Sequence, residues 1–283
     1  MPGKEGSRWI FAENASEAEA MNYKDAAEYL AQWHTTPRGA FVLRREQMLL
    51  QRLLSPWPRR DSRLLVVGSG SGTFLKICWE EGFDVTGLEA SQTLLDSARE
   101  RLGGRAEYQL GQPDCLPFDN DSFDYVVLPS AVTCCCGDRS RIQAIMSEAL
   151  RVAARGVLVG FANRCSLWGC GRGDAEPWRR GVSVWRFVRD ARTSCPDCRI
   201  AIRTVLPGPA SSWCEDSLWR CLNDRIWTLP LGAYAGLRFD LWPAVPLTPL
   251  WLRVGARLKE RQKVCAELTT QRDASQSDRM LSH

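Results

Sequence analysis

The feature that most constrains the fold is a short apolar run that ends in three closely spaced glycines. The run is Leu64–Val67, and Gly68, Gly70 and Gly72 follow it at alternate positions, before a segment with helical spacing of apolar residues. Glycine has no Cβ, so a strand that turns through glycine into a helix brings backbone N–H groups close to a ligand. This arrangement is typical of a nucleotide-type cofactor loop in an α/β sheet. A plain strand-to-helix turn is the alternative interpretation.

Strand-like and helix-like segments alternate after this loop. The predicted strands lie at residues 63–67, 84–88, 106–110, 123–128 and 156–161. Strands separated by helices predict βαβ units and a parallel sheet, with the ligand beyond the carboxyl ends of the strands. Further along, residues 199–206 are predicted to form a strand, and residues 251–258 a last strand antiparallel to it.

The chain divides into four predicted regions. An N-terminal arm with lid helices spans residues 1–38, and the cofactor-binding core spans residues 39–161. Residues 162–259 form the acceptor-side region with the last strands. Residues 260–283 are a polar tail that we expect to be disordered, because it has few apolar residues to bury.

Composition excludes some classes of protein. The chain has 283 residues with 37 basic and 33 acidic side chains, and this mild, scattered excess does not indicate a nucleic-acid-binding face. There is no secretory signal and no uncharged apolar run of about 18 residues, so no membrane span is expected. Twelve cysteines in such a chain favour reduced thiols and a cytoplasmic location. The composition of residues 226–252 leaves peripheral membrane contact open, and the oligomeric state is also open.

Three further landmarks follow the glycine loop. Glu89 stands at the end of the second predicted strand, where a carboxylate can accept hydrogen bonds from ribose hydroxyls, although a solvated loop acid is the alternative. Residues 111–118, GQPDCLPF, follow the third strand, and their polar groups can reach an adenine edge. Residues 121–128, DSFDYVVL, form the fourth strand, and ExxRV at 148–152 precedes a glycine-containing fifth strand.

Together these landmarks resemble the class I S-adenosylmethionine-dependent methyltransferases, and look closest to the group that includes the ubiquinone and menaquinone C-methyltransferases. The resemblance runs from about Gly39 to Phe161. It implies a Rossmann-like α/β fold with a seven-stranded sheet of order 3-2-1-4-5-7-6, strand seven antiparallel, helices on both faces and an aromatic-rich C-terminal lid. It also implies S-adenosylmethionine as cofactor and in-line methyl transfer to a small-molecule acceptor, which we expect to be aromatic or apolar.

The resemblance implies a set of cofactor-binding residues. Those that would wrap the methionine part of the cofactor are Gly68, Ser69, Gly70 and Gly72. Glu89 would hold the ribose. The other members are Ala90 and Leu128, together with Gln112 and Pro113 beside the adenine.

Two departures from the family pattern motivate a second hypothesis. Val66 stands two residues before the first glycine, where the family usually has an acid, and Gln112 stands where it usually has Asp. A cofactor-binding or structural protein that has lost catalysis on the same fold is therefore an alternative. A nucleotide-dependent oxidoreductase is a third hypothesis, disfavoured because the third glycine comes one residue too early for G-x-G-x-x-G.

The catalytic residues are not identified by any motif, and His34, Cys134 and Asn163 are the candidates. A base is needed only if the acceptor must lose a proton at the transition state. His34, in the N-terminal arm, is either such a base, an acceptor contact, or an ordinary histidine at a helix end. Asn163 follows the fifth strand, a position beside the transferred methyl group.

The cysteines suggest another alternative. Three thiols at Cys134–Cys136 could bind a soft ion or arsenite, as in a thiol or metalloid methyltransferase. Consecutive residues, however, point in different directions. Cys195 and Cys198 have zinc spacing, but a structural zinc site needs about four ligands. We predict no metal site.

Tryptophans are concentrated after residue 165. They either line an aromatic acceptor pocket or fill a second small core in a lid. The residues concerned are Trp168, Trp178, Trp185, Trp213, Trp219, Trp227 and Trp242.

Overall fold

A computed structural model of the chain describes residues 22–135, 138–166 and 181–241. The strands in these ranges are β1 (Arg63–Val67), β2 (Asp84–Glu89), β3 (Glu107–Leu110), β4 (Phe123–Leu128), β5 (Ala153–Ala162), β6 (Arg199–Val205) and β7 (Tyr234–Asp240). They form one seven-stranded sheet of order β3-β2-β1-β4-β5-β7-β6. The predicted strand order is confirmed.

Helices cover both faces of this sheet. Those described are α1 (Tyr23–His34), α2 (Pro37–Leu54), α3 (Thr73–Glu80), α4 (Gln92–Leu102), α5 (Ala131–Cys134), α6 (Arg139–Val152), α7 (Val184–Ser194) and α8 (Arg220–Asn223). The helices α3, α4 and α6, which connect the parallel strands, occupy the segments where hydrophobic periodicity predicts helices.

The directions of the strands show at which edge of the sheet a ligand binds. β1 pairs in parallel with β2 on one side and β4 on the other, and β7 runs antiparallel to both β5 and β6. The chain order reverses at β1, so the crevice beyond its carboxyl end is where a ligand binds in a sheet of this kind.

The core lies on both faces of the sheet because the central strand is buried on both sides. Leu65 and Val67 belong to one apolar cluster, with α1, α6 and α7. Leu64 and Val66 belong to a second cluster, with α2 and α3. Alternate residues of a strand point to opposite faces, so a continuous apolar run is what a doubly covered parallel strand requires.

The prediction of residues 251–258 as a strand antiparallel to residues 199–206 is not tested by the described structure. Residues 251–258 lie outside the described residues, and the antiparallel partner of β6 is β7, with Val205 opposite Tyr234 and Arg199 opposite Asp240. β7 was not predicted from the sequence, because prolines and tryptophans flank it on both sides. Its burial is nevertheless that of a central strand, since Tyr234, Ala235 and Leu237 are at most 1% exposed.

The N-terminal helices are positioned by local chemistry. Thr36 caps α2 by accepting a hydrogen bond from the Gly39 N–H at 3.0 Å, and Pro37 occupies the first turn. The predicted boundary between residues 38 and 39 therefore falls inside the first turn of this helix. The arm before residue 22 and the predicted polar tail lie outside the described residues. Within the described ranges, no helix is both long and apolar enough to cross a bilayer.

Candidate cofactor-binding site

The glycine loop bends sharply at the carboxyl end of β1. Gly68, Gly70 and Gly72 have φ values of 71°, 55° and 81°, a left-handed conformation that side-chain-bearing residues adopt only with strain. The N–H groups of Gly68 and Ser69 donate to the Leu88 carbonyl at 2.9 and 3.1 Å. These two hydrogen bonds fasten the loop to the end of β2.

Glu89 is the charged centre of the site. Its side chain is buried, with the residue 1% exposed. One carboxylate oxygen, Oε2, accepts a hydrogen bond from the Gly70 N–H at 2.7 Å, and Oε1 accepts from the N–H groups of Ala90 at 2.8 Å and Ser91 at 3.3 Å. A carboxylate has about four acceptor positions, so one position on Oε2 is left for a ligand hydroxyl.

Opposing effects act on the pKa of Glu89. Burial raises it, and the hydrogen bonds from Gly70, Ser91 and Ala90 oppose that rise because they favour the ionised form. The loop therefore supplies the donors that a buried carboxylate needs. The hydroxyl oxygen of Ser69 is a second polar group at this site, and it is buried without a hydrogen bond in the described structure. Both observations fit a cradle for a polar, hydroxyl-bearing ligand.

A cavity of about 60 Å³ lies between the glycine loop and α1. Tyr23, Leu30 and His34 of α1 form one wall, the loop and Glu89 form another, and Ser130 and Cys134 close the end beyond β4. Pockets for drug-sized ligands span roughly 300–1,000 Å³. In the described conformation α1 therefore covers the loop too closely to leave room for a whole nucleoside.

Tyr23 makes the closest approach to the loop. A Cβ on Gly68 would lie 2.6 Å from the Tyr23 hydroxyl oxygen. Burial, followed by the nearby Cys134 and Glu89, raises the pKa of Tyr23 well above its ordinary value, so the hydroxyl keeps its proton and remains a donor. The role of Tyr23 was not predicted from the sequence, because nothing in its local pattern connects it with the loop.

Of the predicted cofactor-binding residues, Gly68, Ser69, Gly70 and Glu89 line the cavity. Gly72 instead starts α3 and packs against α4, since a Cβ there would lie 2.9 Å from that of Ala98. Ala90 contributes the N–H bound by Glu89. Leu128 is fully buried in the core, and its cofactor contact stays a prediction.

The predicted adenine border follows β3. The Gly111 N–H donates to the Glu89 carbonyl at 3.0 Å, which brings this turn beside the end of β2. Gln112 is exposed and Pro113 is buried. Their position is compatible with the predicted role, which stays a prediction.

Val66 occupies the place where an acid was expected from the family pattern. It is fully buried, pairs with Gly87 and Val127 across the sheet, and lies in the cluster beneath α2 and α3. It does not line the cavity. A valine here therefore completes the core, and its presence removes no polar contact from the cavity as described.

The catalytic candidates separate in the structure. His34 and Cys134 both line the cavity. Asn163 does not, because its amide nitrogen donates to the carbonyls of Pro230 at 3.0 Å and Gly232 at 2.9 Å. Its amide oxygen accepts the Cys165 N–H at 3.1 Å. These contacts give Asn163 a structural role at the end of β5.

His34 faces a carboxyl group that sequence analysis missed. Its Nε2 lies 3.6 Å from Oε2 of Glu46, on α2, and the side chains are 12% and 3% exposed. Burial lowers the pKa of His34 to about 4 and raises the pKa of Glu46 to about 8, so both side chains are uncharged near pH 7. Glu46 stands among the apolar positions of α2, and this unusual placement is the sequence feature from which the pair could have been predicted.

The cysteine cluster is only partly described. Cys134 and Cys135 are 5% and 4% exposed, and the Cys135 thiol donates to the Ala131 carbonyl at 3.3 Å. Cys136 lies outside the described residues. Burial, as the largest cause, raises the pKa of Cys198 to about 12. No group of three or more metal-ligating side chains occurs within the described ranges.

The described tryptophans of the acceptor-side region do not line the cavity. Trp213 is 4% exposed and donates from its indole nitrogen to the Gly208 carbonyl at 3.1 Å. Trp227 donates to the Leu222 carbonyl at 3.1 Å, and Trp185 is 64% exposed. Trp213 fits the second interpretation, a small additional core. Trp168, Trp178 and Trp242 lie outside the described residues.

Comparison with known proteins identifies the class. Residues 65–160 match the family described as methyltransferase domain. The sheet order described above is the one implied by the resemblance to class I S-adenosylmethionine-dependent methyltransferases. Residues 65–160 therefore form a methyltransferase domain, and the cofactor of domains of this class is S-adenosylmethionine.

The similarity to individual curated proteins covers only part of the chain. The chain is 32% identical over 95 residues to a biotin biosynthesis bifunctional protein of Cellvibrio japonicus, covering 34% of this chain and 18% of that protein. It is 32% identical over 107 residues to a malonyl-[acyl-carrier protein] O-methyltransferase of Salmonella typhimurium, covering 38% and 41%. The chain thus spans less than half the length of these curated relatives.

A solved structure shares the fold. A methyltransferase of Thermotoga maritima, described as S-adenosylmethionine-dependent and a possible histamine N-methyltransferase, aligns with a TM-score of 0.58 at 17% identity. The alignment covers 78% of this chain and 98% of that one. At this identity the likeness concerns the fold alone.

Proposed function

We propose that the protein transfers a methyl group from S-adenosylmethionine to a small-molecule acceptor. The observation that carries the proposal is the contact between the glycine loop and Glu89, in which the Gly70 N–H donates to a carboxylate that is 1% exposed. It joins the carboxyl ends of β1 and β2, next to the point where the strand order reverses.

The residues present fit the cofactor. Glu89 retains an acceptor position for a ribose hydroxyl, and the buried Ser69 hydroxyl has a free hydrogen-bonding capacity. The glycine loop allows close approach, since a Cβ on Gly70 would meet nothing within 4 Å. When bound, S-adenosylmethionine supplies an electrophilic methyl group. The protein then has to orient the acceptor and exclude water.

The acceptor we favour is uncharged and apolar or aromatic. The cavity walls combine Leu30, Leu43 and Phe74 with a few polar groups, and no lysine or arginine lines the cavity among the described residues. An acceptor with a carboxylate would need a compensating cation when it is desolvated. The lining therefore supports a hydroxyl or amine acceptor on an apolar body.

A second candidate comes from the relatives. Two curated relatives that the chain resembles are named malonyl-[acyl-carrier protein] O-methyltransferases, at 32% and 29% identity. O-methylation of a carboxylate on a carrier-bound acyl group is therefore the alternative acceptor chemistry. It requires a cation from a part of the chain other than the described cavity wall.

The other hypotheses have less support. Loss of catalysis was suggested by Val66, which is a core residue here and not a cavity residue. A metalloid methyltransferase would need several thiols facing one ion, and the Cys135 thiol is turned back onto its own helix.

The cofactor test is isothermal titration with S-adenosylhomocysteine and S-adenosylmethionine. We expect both to bind the wild-type protein. Glu89→Gln should weaken binding at least ~10-fold, since it loses one charged acceptor. Glu100→Gln, which changes an exposed carboxylate on α4, is the matched control. No binding at millimolar ligand would refute the proposal.

The acceptor test follows transfer of tritium from labelled S-adenosylmethionine. Phenols and aromatic amines with apolar bodies represent the favoured class, and malonyl-acyl-carrier protein represents the second. Faster transfer to malonyl-acyl-carrier protein than to any member of the first group would replace the favoured acceptor with the alternative.

A further inference from the structure

The His34–Glu46 pair lies beside the cofactor cavity and is not used by the glycine loop. His34 ends α1 and lines the cavity, and Leu43 of α2, one turn before Glu46, lines it as well. His34 Nε2 and Glu46 Oε2 are 3.6 Å apart, slightly beyond hydrogen-bond distance. The ring lies on the cavity side of the pair, since His34 is a lining residue and Glu46 is not.

Both facing atoms lack hydrogen-bond partners in the described structure. His34 Nε2 and Glu46 Oε2 are fully buried and make no hydrogen bond. Buried polar atoms are almost always hydrogen-bonded, so a buried polar atom without a partner needs an explanation, such as a catalytic role or a bound water or ion. The two atoms here face each other at 3.6 Å at the wall of a ligand cavity, where a ligand can act on the pair.

The titratable groups around the His34–Glu46 pair do not compete with it for the proton. Tyr234 of β7 and Tyr23 of α1 both have a pKa raised well above the ordinary value, chiefly by burial. They therefore stay protonated. The Tyr234 hydroxyl also donates to the Pro129 carbonyl at 2.6 Å. Cys134 and Glu89 occupy the other walls of the cavity, and Glu89 is held by three backbone N–H groups.

We propose that His34 takes the proton from the hydroxyl or amine of the acceptor during methyl transfer, and that Glu46 is the positioning residue that orients the imidazole. The proposal rests on the proposed function. A shift of a few tenths of an ångström brings Glu46 Oε2 within hydrogen-bond distance of His34 Nε2. If Oε2 then accepts the Nε2 hydrogen, the ring is held in the tautomer whose other nitrogen, Nδ1, can accept a proton.

The step balances in atoms and charge. The acceptor atom forms a bond to the methyl carbon, the carbon–sulfur bond breaks, and its electron pair stays on sulfur as S-adenosylhomocysteine forms. The proton of the acceptor moves to the His34 imidazole. The positive charge lost by the sulfonium is thereby regained on the imidazolium, beside the Glu46 carboxyl group, so the buried site keeps the same net charge.

The test measures binding and needs no acceptor. Sinefungin carries an amine where the cofactor carries its transferable methyl, whereas S-adenosylhomocysteine has nothing there. If His34 faces the methyl position, its ring accepts a hydrogen bond from that amine. We therefore expect His34→Gln and Glu46→Gln to weaken sinefungin binding at least ~10-fold relative to S-adenosylhomocysteine binding, the loss of one charge-assisted hydrogen bond.

Controls separate this inference from the proposed function. Glu100→Gln should leave both affinities within about two-fold, because its carboxylate is exposed on α4. S-adenosylhomocysteine binding also reports whether each variant is folded, and Glu46→Asp replaces Glu46→Gln if the latter does not fold. Equal weakening of both ligands, or of neither, would overturn the inference alone. Wild-type protein that binds neither ligand would overturn the proposed function as well.

A second readout isolates the positioning role of Glu46. The chain has two histidines, His34 and His283, so nitrogen-15 resonances of labelled histidine are assigned with the His34→Gln variant. We expect Glu46→Gln to change the tautomer or the titration midpoint of His34. A Glu46 that only fills space would leave both unchanged, and that result would remove it from the mechanism.

Discussion

Glu89 and the glycine loop depend on each other at the level of single residues. The carboxylate accepts three backbone N–H groups, one of them from Gly70, so the loop is held in place before any ligand binds. One acceptor position remains for a ribose hydroxyl. Binding of both ribose hydroxyls would require the Gly70 N–H to leave Oε2.

The first residue-scale prediction concerns Gly68. Its φ is 71°, and a Cβ at this position would lie only 2.6 Å from the Tyr23 hydroxyl oxygen, which leaves no room for a side chain. We expect Gly68→Ala to lower the free energy of unfolding by about 1–3 kcal/mol and to abolish measurable S-adenosylhomocysteine binding. Urea unfolding and titration calorimetry measure the two effects.

Gly103→Ala is the matched control for this substitution. Gly103 also has a positive φ, 58°, but a Cβ there would meet nothing within 4 Å, and it lies after α4, outside the cavity wall. It should lose stability through backbone strain while keeping normal affinity. A similar loss of affinity in both variants would mean that binding simply follows stability.

At the scale of elements, α1 decides access to the site. Glu28 of this helix accepts hydrogen bonds from Ser91 Oγ at 2.5 Å and Thr93 Oγ1 at 3.1 Å, and these contacts lower the pKa of Glu28, the Ser91 bond most strongly. The helix is thereby tied to the start of α4. It leaves a cavity of about 60 Å³ above the glycine loop.

We predict that cofactor binding displaces and then reorders α1. A cavity this small cannot hold a nucleoside, so the helix has to move before the ligand enters. Hydrogen exchange should show altered protection of residues 23–34 when S-adenosylhomocysteine is added, with β6 as the internal reference. Unchanged exchange in residues 23–34 at saturating ligand would show that α1 is a fixed part of the fold.

Long-range contacts join the elements that frame the site. Trp57, just after α2, stacks on Tyr125 of β4 with ring centroids 4.2 Å apart and donates to Asp240 of β7 at 2.8 Å. Arg45 of α2 is 6% exposed and donates to Asp224 through Nε at 2.9 Å. These contacts hold α2, and with it Glu46, in a defined position against the sheet.

For the whole molecule, the His34–Glu46 pair predicts how stability depends on pH. The folded-state pKa of Glu46 is raised from 4.5 to about 8, so the folded state binds the extra proton between these values and stability falls as pH rises. The folded-state pKa of His34 is lowered from 6.5 to about 4, so stability rises with pH across that interval. The two effects oppose each other up to pH 6.5, and only that of Glu46 remains above it.

We therefore expect the free energy of unfolding to fall between pH 6.5 and pH 8, by up to about 2 kcal/mol for this group. Urea unfolding at the two pH values measures the change. Glu46→Gln should remove this part of the decrease, and Glu100→Gln should retain it. The same decrease in wild-type and Glu46→Gln proteins would contradict a buried, protonated Glu46.

The sequence by itself located the central strand β1, the glycine loop and the acid at the end of β2. Those features depend on short-range information, namely the burial of consecutive residues in β1, the conformations open to Gly68 and Gly70, and the fixed offset of an acid after β2. The strand order followed from the resemblance to a known family. The sequence did not identify β7, because prolines and tryptophans flank Tyr234–Asp240. Only pairing with β5 on one side and β6 on the other identifies it.

Only the tertiary structure decided what surrounds the loop. His34 and Glu46 lie on different helices, and Tyr23 contacts the loop at Gly68, 45 positions further along the chain. The Asn163 amide nitrogen donates to the backbone carbonyls of residues 230 and 232. None of these contacts has a periodic signature, since each depends on how whole helices pack against the finished sheet. The sequence therefore located the cofactor loop, and packing decided which side chains face it.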